Sequence, residues 1–235
     1  MGVSIRLERP SVSVTVRRSA RSRRFSLSVS RIDGRPLLTI PDAASLDEAR
    51  GFLERHAEWL SGALDRAPGA LPVTEGMTLP IGGRPVVLRA DPARRRGAPA
   101  LSGDALLIPP SAAGPGPAVK TFLIARARDA LTPAARRHAA ALGKAPARVT
   151  LRDTRSRWGS CTAEGALSFS WRLAMAPPAV QDYVAAHEAA HLVEMNHGPR
   201  FWALVERLRP DWREQRAWLR ANGAALHRFR FDPAG

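Results

Sequence analysis

The chain has 235 residues, 45% of them hydrophobic, enough to bury a sizeable core in one large domain or two small ones. No run of about 18 apolar residues occurs, Met1–Pro10 has no apolar signal region, and Cys161 is the single cysteine. These features predict no spanning helix, no secretory leader and no internal disulfide framework, and the expected location is the cytoplasm. The net charge is +15. Of the 36 basic residues only Lys120 and Lys144 are lysine, so the charge is partly a compositional bias toward arginine. It still admits a nucleic-acid or nucleotide partner, with local clusters at Arg17-Arg18, Arg21–Arg24 and Arg94–Arg96.

Val12, Val14 and Val16 alternate, then Phe25, Leu27 and Val29, so residues 11–40 read as strands. Asp33-Gly34 is a hairpin signal and Leu37–Ile40 the return strand. Ser45-Leu46-Asp47-Glu48 is a capping box opening a helix through about Leu64, with Trp59 and Leu60 on its apolar side. Short strands are expected at 77–81, 84–90 and 104–109, separated by a basic, turn-rich loop at Asp91–Pro99. The Ala112–Pro117 run reads as a linker. A helix should follow from about Ala118 to Leu142, kinked or split at Pro133 and ended by Gly143. Arg148–Arg152 reads as a strand, Arg155–Cys161 as a loop, and Ala166–Leu173 as a strand with Leu167, Phe169, Trp171 and Leu173 on one face. Pro177-Pro178 ends that strand and starts the next helix. Pro199–Leu208 and Asp211–Ala221 read as two closing helices. The order is that of an α+β protein: a β-rich half at 11–111 with one helix, and a second half at 118–230, together one 235-residue unit.

The chemistry concentrates in His187-Glu188-Ala189-Ala190-His191, followed by His197. Residues four apart on a helix share a face, so His187 and His191 can aim their imidazoles at one metal ion. Glu188, on the adjacent face, can reach a water there without being a ligand. This is the H-E-x-x-H pattern of zinc metallopeptidases. Val180, Tyr183 and Val184 precede the histidines on one stripe, turning the imidazoles toward an apolar interior. For a third ligand, a helix ending near Met195-Asn196, where Asn196 tolerates the left-handed conformation, would present His197; Glu194, Glu206 and Glu214 are the rivals. Three neutral histidines leave a position open for water. The Leu167–Leu173 strand is a candidate edge for pairing with an extended peptide. Tyr183 and Arg157 are the candidate oxyanion donors or substrate contacts. Trp158 reads as a packing residue and Cys161 as a small buried thiol. His56, His138 and His227 have no motif around them.

Arg157-Trp158-Gly159-Ser160-Cys161, Trp171-Arg172-Leu173, Pro177-Pro178 and His197-Gly198-Pro199-Arg200-Phe201-Trp202 are specific in combination. Together they resemble the YgjP-like metallopeptidase family, and more distantly the WLM and SprT-like zinc proteases. Leu79-Pro80 before Gly82 and the helix carrying Trp59 agree, so the resemblance covers roughly residues 12–230. Glu194 stands where the metzincin pattern has glycine. The resemblance implies a zincin-like core, one zinc ion bound by His187, His191 and His197, Glu188 as catalytic base, and a peptide or protein substrate. Two other classes share the composition. One is a metal-dependent hydrolase of nucleotide phosphoanhydrides. The other is a basic DNA-associated protein with structural zinc, which has no use for Glu188.

Overall fold

The computed structural model describes residues 3–30, 34–67, 69, 71–91, 93, 97–111 and 114–232. Asp33, Arg94–Arg96 and part of the expected linker, Ala112-Ala113, lie outside the described residues. The chain divides into two compact units, Met1–Leu71 and Pro72–Gly235. The strands expected at 77–109 therefore belong with the metal-motif half. Among the described residues no helix is long and apolar enough to cross a membrane.

In the first unit, β1 (Val3–Leu7), β2 (Val12–Ser19), β3 (Ser26–Val29) and β4 (Pro36–Pro41) form a sheet in the order β1-β2-β4-β3. β2 and β4 are parallel, while β3 and β4 form the expected hairpin, with Gly34 donating to the Ser30 carbonyl. β1 carries only two inward residues, Ile5 and Leu7, between polar ones, too short an alternation to stand out in the sequence. Alternate residues Val14 and Val16, with Leu38 and Ile40, bury one face of the sheet against Leu53 and Leu60. The Ser45 capping box forms as expected. The helix it opens is two helices, α1 (Leu46–Arg55) and α2 (Ala57–Asp65), broken at His56. His56 caps α1, and its ring stacks on Phe52 at 4.1 Å. Trp59 is 48% exposed and lies off the buried side, which Leu60 occupies alone in α2.

A two-residue strand, β5 (Leu71–Pro72), stands at the division between the units. In the second unit, β6 (Thr78–Ile81), β7 (Arg84–Ala90), β8 (Ala100–Ser102) and β9 (Ala105–Ile108) form a sheet in the order β6-β7-β9-β8. The β6–β7 turn, Gly82-Gly83, has φ of 60° and 77°, the geometry of a type I′ hairpin turn. It grips the segment leading to the metal motif. The Gly82 and Gly83 amides donate to the carbonyls of Ala174 and Met175, and a Cβ on Gly83 would meet Pro177 Cγ at 2.7 Å.

α3 (Gly116–Ala141) runs unbroken through Pro133. Its buried stripe, Val119, Leu123, Ala127, Leu131, Ala135 and Ala139, repeats every four residues and narrows to alanine after Leu131. α4 (Pro178–Ala190), the motif helix, packs on α3. A second sheet holds β10 (Arg148–Arg152), β11 (Gly159–Cys161) and β12 (Ala166–Ser170) in the order β10-β12-β11. Two expectations change here. Gly159–Cys161 is a strand rather than loop, because its backbone pairs antiparallel with Leu167–Phe169. β12 is therefore central, and residues Trp171–Met175 wind into a 3-10 turn instead of extending it. The edge beside α4 is β11. α5 (Pro199–Leu208), α6 (Trp212–Leu226) and β13 (Phe229–Arg230) close the unit. Arg172 is almost wholly buried there. It bonds Asp153 at 2.8 Å and the carbonyls of Leu226 and Phe229 at 3.0 and 3.2 Å, and lies over Trp171.

Candidate metal centre

α4 begins at Pro178, with Pro177 held by the Gly82-Gly83 turn, and Gln181 donates back to the Ala176 carbonyl at 2.8 Å. Its opposite side is pinned by Asp182. That carboxylate accepts from Arg137 and from His138 of α3, and from Arg209, the residue capping α5. Burial alone raises the Asp182 pKa. Hydrogen bonds from His138 and Arg209 outweigh it and hold the carboxyl near 2. The motif helix thus has little freedom to turn about its axis.

The helix ends at Ala190, about one turn earlier than the spacing predicts, with His191 as its cap. No residue other than glycine has positive φ among the described residues, so Asn196 does not supply the turn. The turn is made by Val193 and Glu194 amides bonding back to the Ala190 carbonyl, and by His191 Nδ1, 3.0 Å from the Glu194 carbonyl oxygen. The Glu194 backbone thereby sets the tautomer and the direction of the His191 ring. Its carboxylate faces away, 3.4 Å from the Asn196 amide. Glu206 is tied to Arg213 at 2.9 Å, and neither it nor Glu214 joins the histidines.

His187, His191 and His197 converge, one ligand nitrogen of each lying within 4.8 Å of the others. His187 Nε2 and His197 Nε2 are 3.1 Å apart. Phe201 sets this spacing. Its ring is fully buried, with its centroid 4.8, 4.4 and 4.7 Å from those of His187, His191 and His197. The Gly198-Pro199 start of α5 carries Phe201 there, so the residues closing the motif also form its floor. Phe201 belongs to the His197–Trp202 motif, but nothing in the motif alone marks it as the floor of the cluster. Its spacing carried no signal, because His197 lies before the start of α5 and only the fold brings the ring against the histidines.

Burial, with the neighbouring His191, His197 and Arg216, pushes His187 down to about 3; burial also lowers His191. Both are neutral at pH 7 with lone pairs available, which is the state a metal requires. His187 Nδ1 is sealed from water without a hydrogen-bond partner, so its ring bonds through Nε2 alone. None of the three rings carries a carboxylate partner among the described residues. This donor set fits a divalent metal ion better than a hydrogen-bonded polar cluster.

Glu188 is 5% exposed on the wall of the same cleft, a cavity of about 650 Å³. Burial pushes its carboxyl up to about 8, partly offset by the Arg157 guanidinium. β11 runs beside it: a Cβ on Gly159 would sit 2.5 Å from Glu188 Oε1. Tyr183 lines the cleft one turn before His187, its phenol held above its usual pKa by burial. Arg157 also lines it, exposed. Cys161 is half-buried rather than buried and faces the cleft. Burial and Glu188 push its thiol up to about 11, leaving it a neutral wall group. Trp158 packs as expected, 4.8 Å from the buried His227 ring. Arg216 and Arg220 of α6, which sequence reading passed over, complete the lining.

No curated protein and no solved structure gives a match to the chain. The family of the YgjP-like metallopeptidase domain matches residues 23–222, nearly the whole length and both compact units. With the three-histidine cluster, a donor set able to hold a metal ion, on an α+β framework, this is a zincin-like core, and the chain belongs to the YgjP-like metallopeptidase family.

Proposed function

We propose that this protein is a zinc-dependent peptidase of the cytoplasm, with His187, His191 and His197 as the zinc ligands and Glu188 as general base. The observation that carries the reading is the convergence of the three imidazole nitrogens beside a buried carboxyl on a cleft wall. With zinc–nitrogen bonds of about 2.0–2.1 Å, tetrahedral ligands stand roughly 3.3 Å apart. The 3.1 Å between His187 and His197 is close to that spacing. Zinc held by these three imidazoles would supply a polarised water with a pKa of about 7.

The chain's own residues do the rest. Glu188 accepts the water proton and delivers it to the leaving amine. A dication close by favours its ionised form against the upward push of burial. Gly159, lacking a side chain, leaves the carboxylate room to reach both positions. β11, the outer strand of its sheet beside α4, offers its backbone to an extended peptide, a role expected of Leu167–Leu173 and moved to Gly159–Cys161 by the strand order. Tyr183 donates its hydroxyl to the developing oxyanion, being protonated at neutral pH and one turn from His187. Arg157 contacts substrate beside Glu188.

The test is metal content and peptide hydrolysis of the wild type, Glu188→Ala and His197→Ala. Near-stoichiometric zinc in the first two, depleted zinc in the third, and hydrolysis by the wild type alone are expected. Hydrolysis that survives Glu188→Ala, or zinc indifferent to His197→Ala, overturns the assignment. Nucleoside triphosphates in the same assay address phosphoanhydride hydrolysis.

A further inference from the structure

The mechanism leaves two guanidinium groups at the cleft unused. Arg216 and Arg220 are one turn apart on α6, and Gly223 continues the same stripe. Gly223 sets where that stripe faces. A Cβ there would come within 2.9 Å of Trp158 Cζ2, so α6 lies hard against the residue leading into β11. Arg216 and Arg220 are thereby carried to the lining of the cleft.

Arg216 is held in place without being neutralised. Its guanidinium sits 4.8 Å from the Trp202 ring and 5.8 Å from Trp212, two indoles stacked at 4.3 Å. Neither Arg216 nor Arg220 has an ion-pair partner among the described residues. Their neighbours do: Arg213 pairs with Glu206, and Arg209 with Asp182 and Asp211. The one carboxyl of the cleft, Glu188, is buried and committed to proton transfer. A second concavity runs on from the cleft along α6, bordered by the same two arginines with Trp212 and Arg213.

We propose that Arg216 and Arg220 form an anion subsite that selects acidic peptides, holding the side-chain carboxylate of an Asp or Glu near the scissile bond. The proposal rests on the peptidase reading above. A carboxylate offers two guanidiniums an opposite charge and two acceptor oxygens, which no neutral side chain combines, and a lysine there meets like charge. A phosphate offers the same chemistry, so the test separates the two.

The experiment uses the full zinc-loaded chain as wild type, Arg220→Glu and Arg216→Gln, with zinc content and thermal unfolding checked for each. Substrates are one neutral peptide and variants in which a single Glu or Lys is walked along it. In the wild type, Glu at one register should raise kcat/KM about ten- to a hundredfold over the neutral parent, and neighbouring registers should not. Arg220→Glu should abolish that gain and favour Lys at the same register, with zinc retained; Arg216→Gln should weaken it. Peptides cleaved with no advantage for Glu at any register overturn the subsite and leave the peptidase reading standing. Where no peptide is cleaved, binding of the same peptides to zinc-loaded Glu188→Gln decides. Arginine-dependent preference for the Glu peptide keeps the subsite and removes the peptidase. No preference, or arginine-dependent binding of inorganic pyrophosphate in its place, overturns the carboxylate assignment.

Discussion

Gly159 and Glu188 occupy each other's space: a methyl group on the first would lie 2.5 Å from Cγ and Oε1 of the second. The contact joins the edge strand to the motif helix at the carboxyl proposed to move protons. Gly159→Ala should displace Glu188 without touching a histidine. The expected result is peptide hydrolysis lowered by a hundredfold or more, on the order expected for a displaced catalytic group, with zinc stoichiometry unchanged. Kinetics and metal analysis of the same preparation check both halves.

Phe201 supports all three imidazoles from below and is fully buried. Phe201→Ala should cost about 3–5 kcal/mol of stability through the cavity it leaves. It should also weaken zinc binding, since the rings lose the surface that spaces them. Denaturant unfolding and competitive zinc titration are the measurements. A destabilised variant with wild-type zinc affinity would separate folding from ligand positioning and refute that role.

Asp182 makes stability depend on acid. Its pKa is held near 2 in the folded chain against 3.8 when free, by hydrogen bonds from His138 and Arg209 that overcome burial. The depressed value means the contribution is fully present above about pH 4 and disappears as pH falls through about 2. It amounts to about 2 kcal/mol. Urea unfolding of the wild type and Asp182→Asn should show a gap that is constant near neutrality and closes in strong acid. A gap independent of pH down to 2 would contradict the linkage.

Arg172 is buried with one carboxylate and two carbonyls as partners. Arg172→Leu should destabilise the second unit by about 3–5 kcal/mol, because those acceptors are left unpaired. Hydrogen exchange should localise the loss to the Asp153 and Leu226–Phe229 segments.

Zinc removal should act unevenly. All three proposed ligands lie in the unit Pro72–Gly235, so chelation should lower exchange protection there and leave Met1–Leu71 unchanged. Equal loss in both units would argue against a metal site confined to the second.

Features that depend on short stretches of chain were legible in the residues. A turn of helix spaces His187 from His191, the Ser45 box caps α1, and alternation marks β2, β3 and β12. These follow from local geometry, with periods of about 3.6 and 2 residues. What depends on non-local pairing was not legible. Gly159–Cys161 carries no alternation and is a strand only because Leu167–Phe169 lies beside it. The same pairing makes β12 central and moves the peptide-docking edge to β11. Trp59 and Leu60 are adjacent in an apolar pattern, yet one is exposed and the other buried, because packing against the sheet selects a single face. Arg216 and Arg220 are two among many arginines in the sequence. Only the approach of Gly223 to Trp158, residues 65 positions apart (223 − 158), turns their side of α6 toward the metal cleft. Local periodicity thus put His187 and His191 on one side of a helix, while the turn after Ala190 and tertiary packing, which brings distant segments into contact, decided where His197 lies and what surrounds the three.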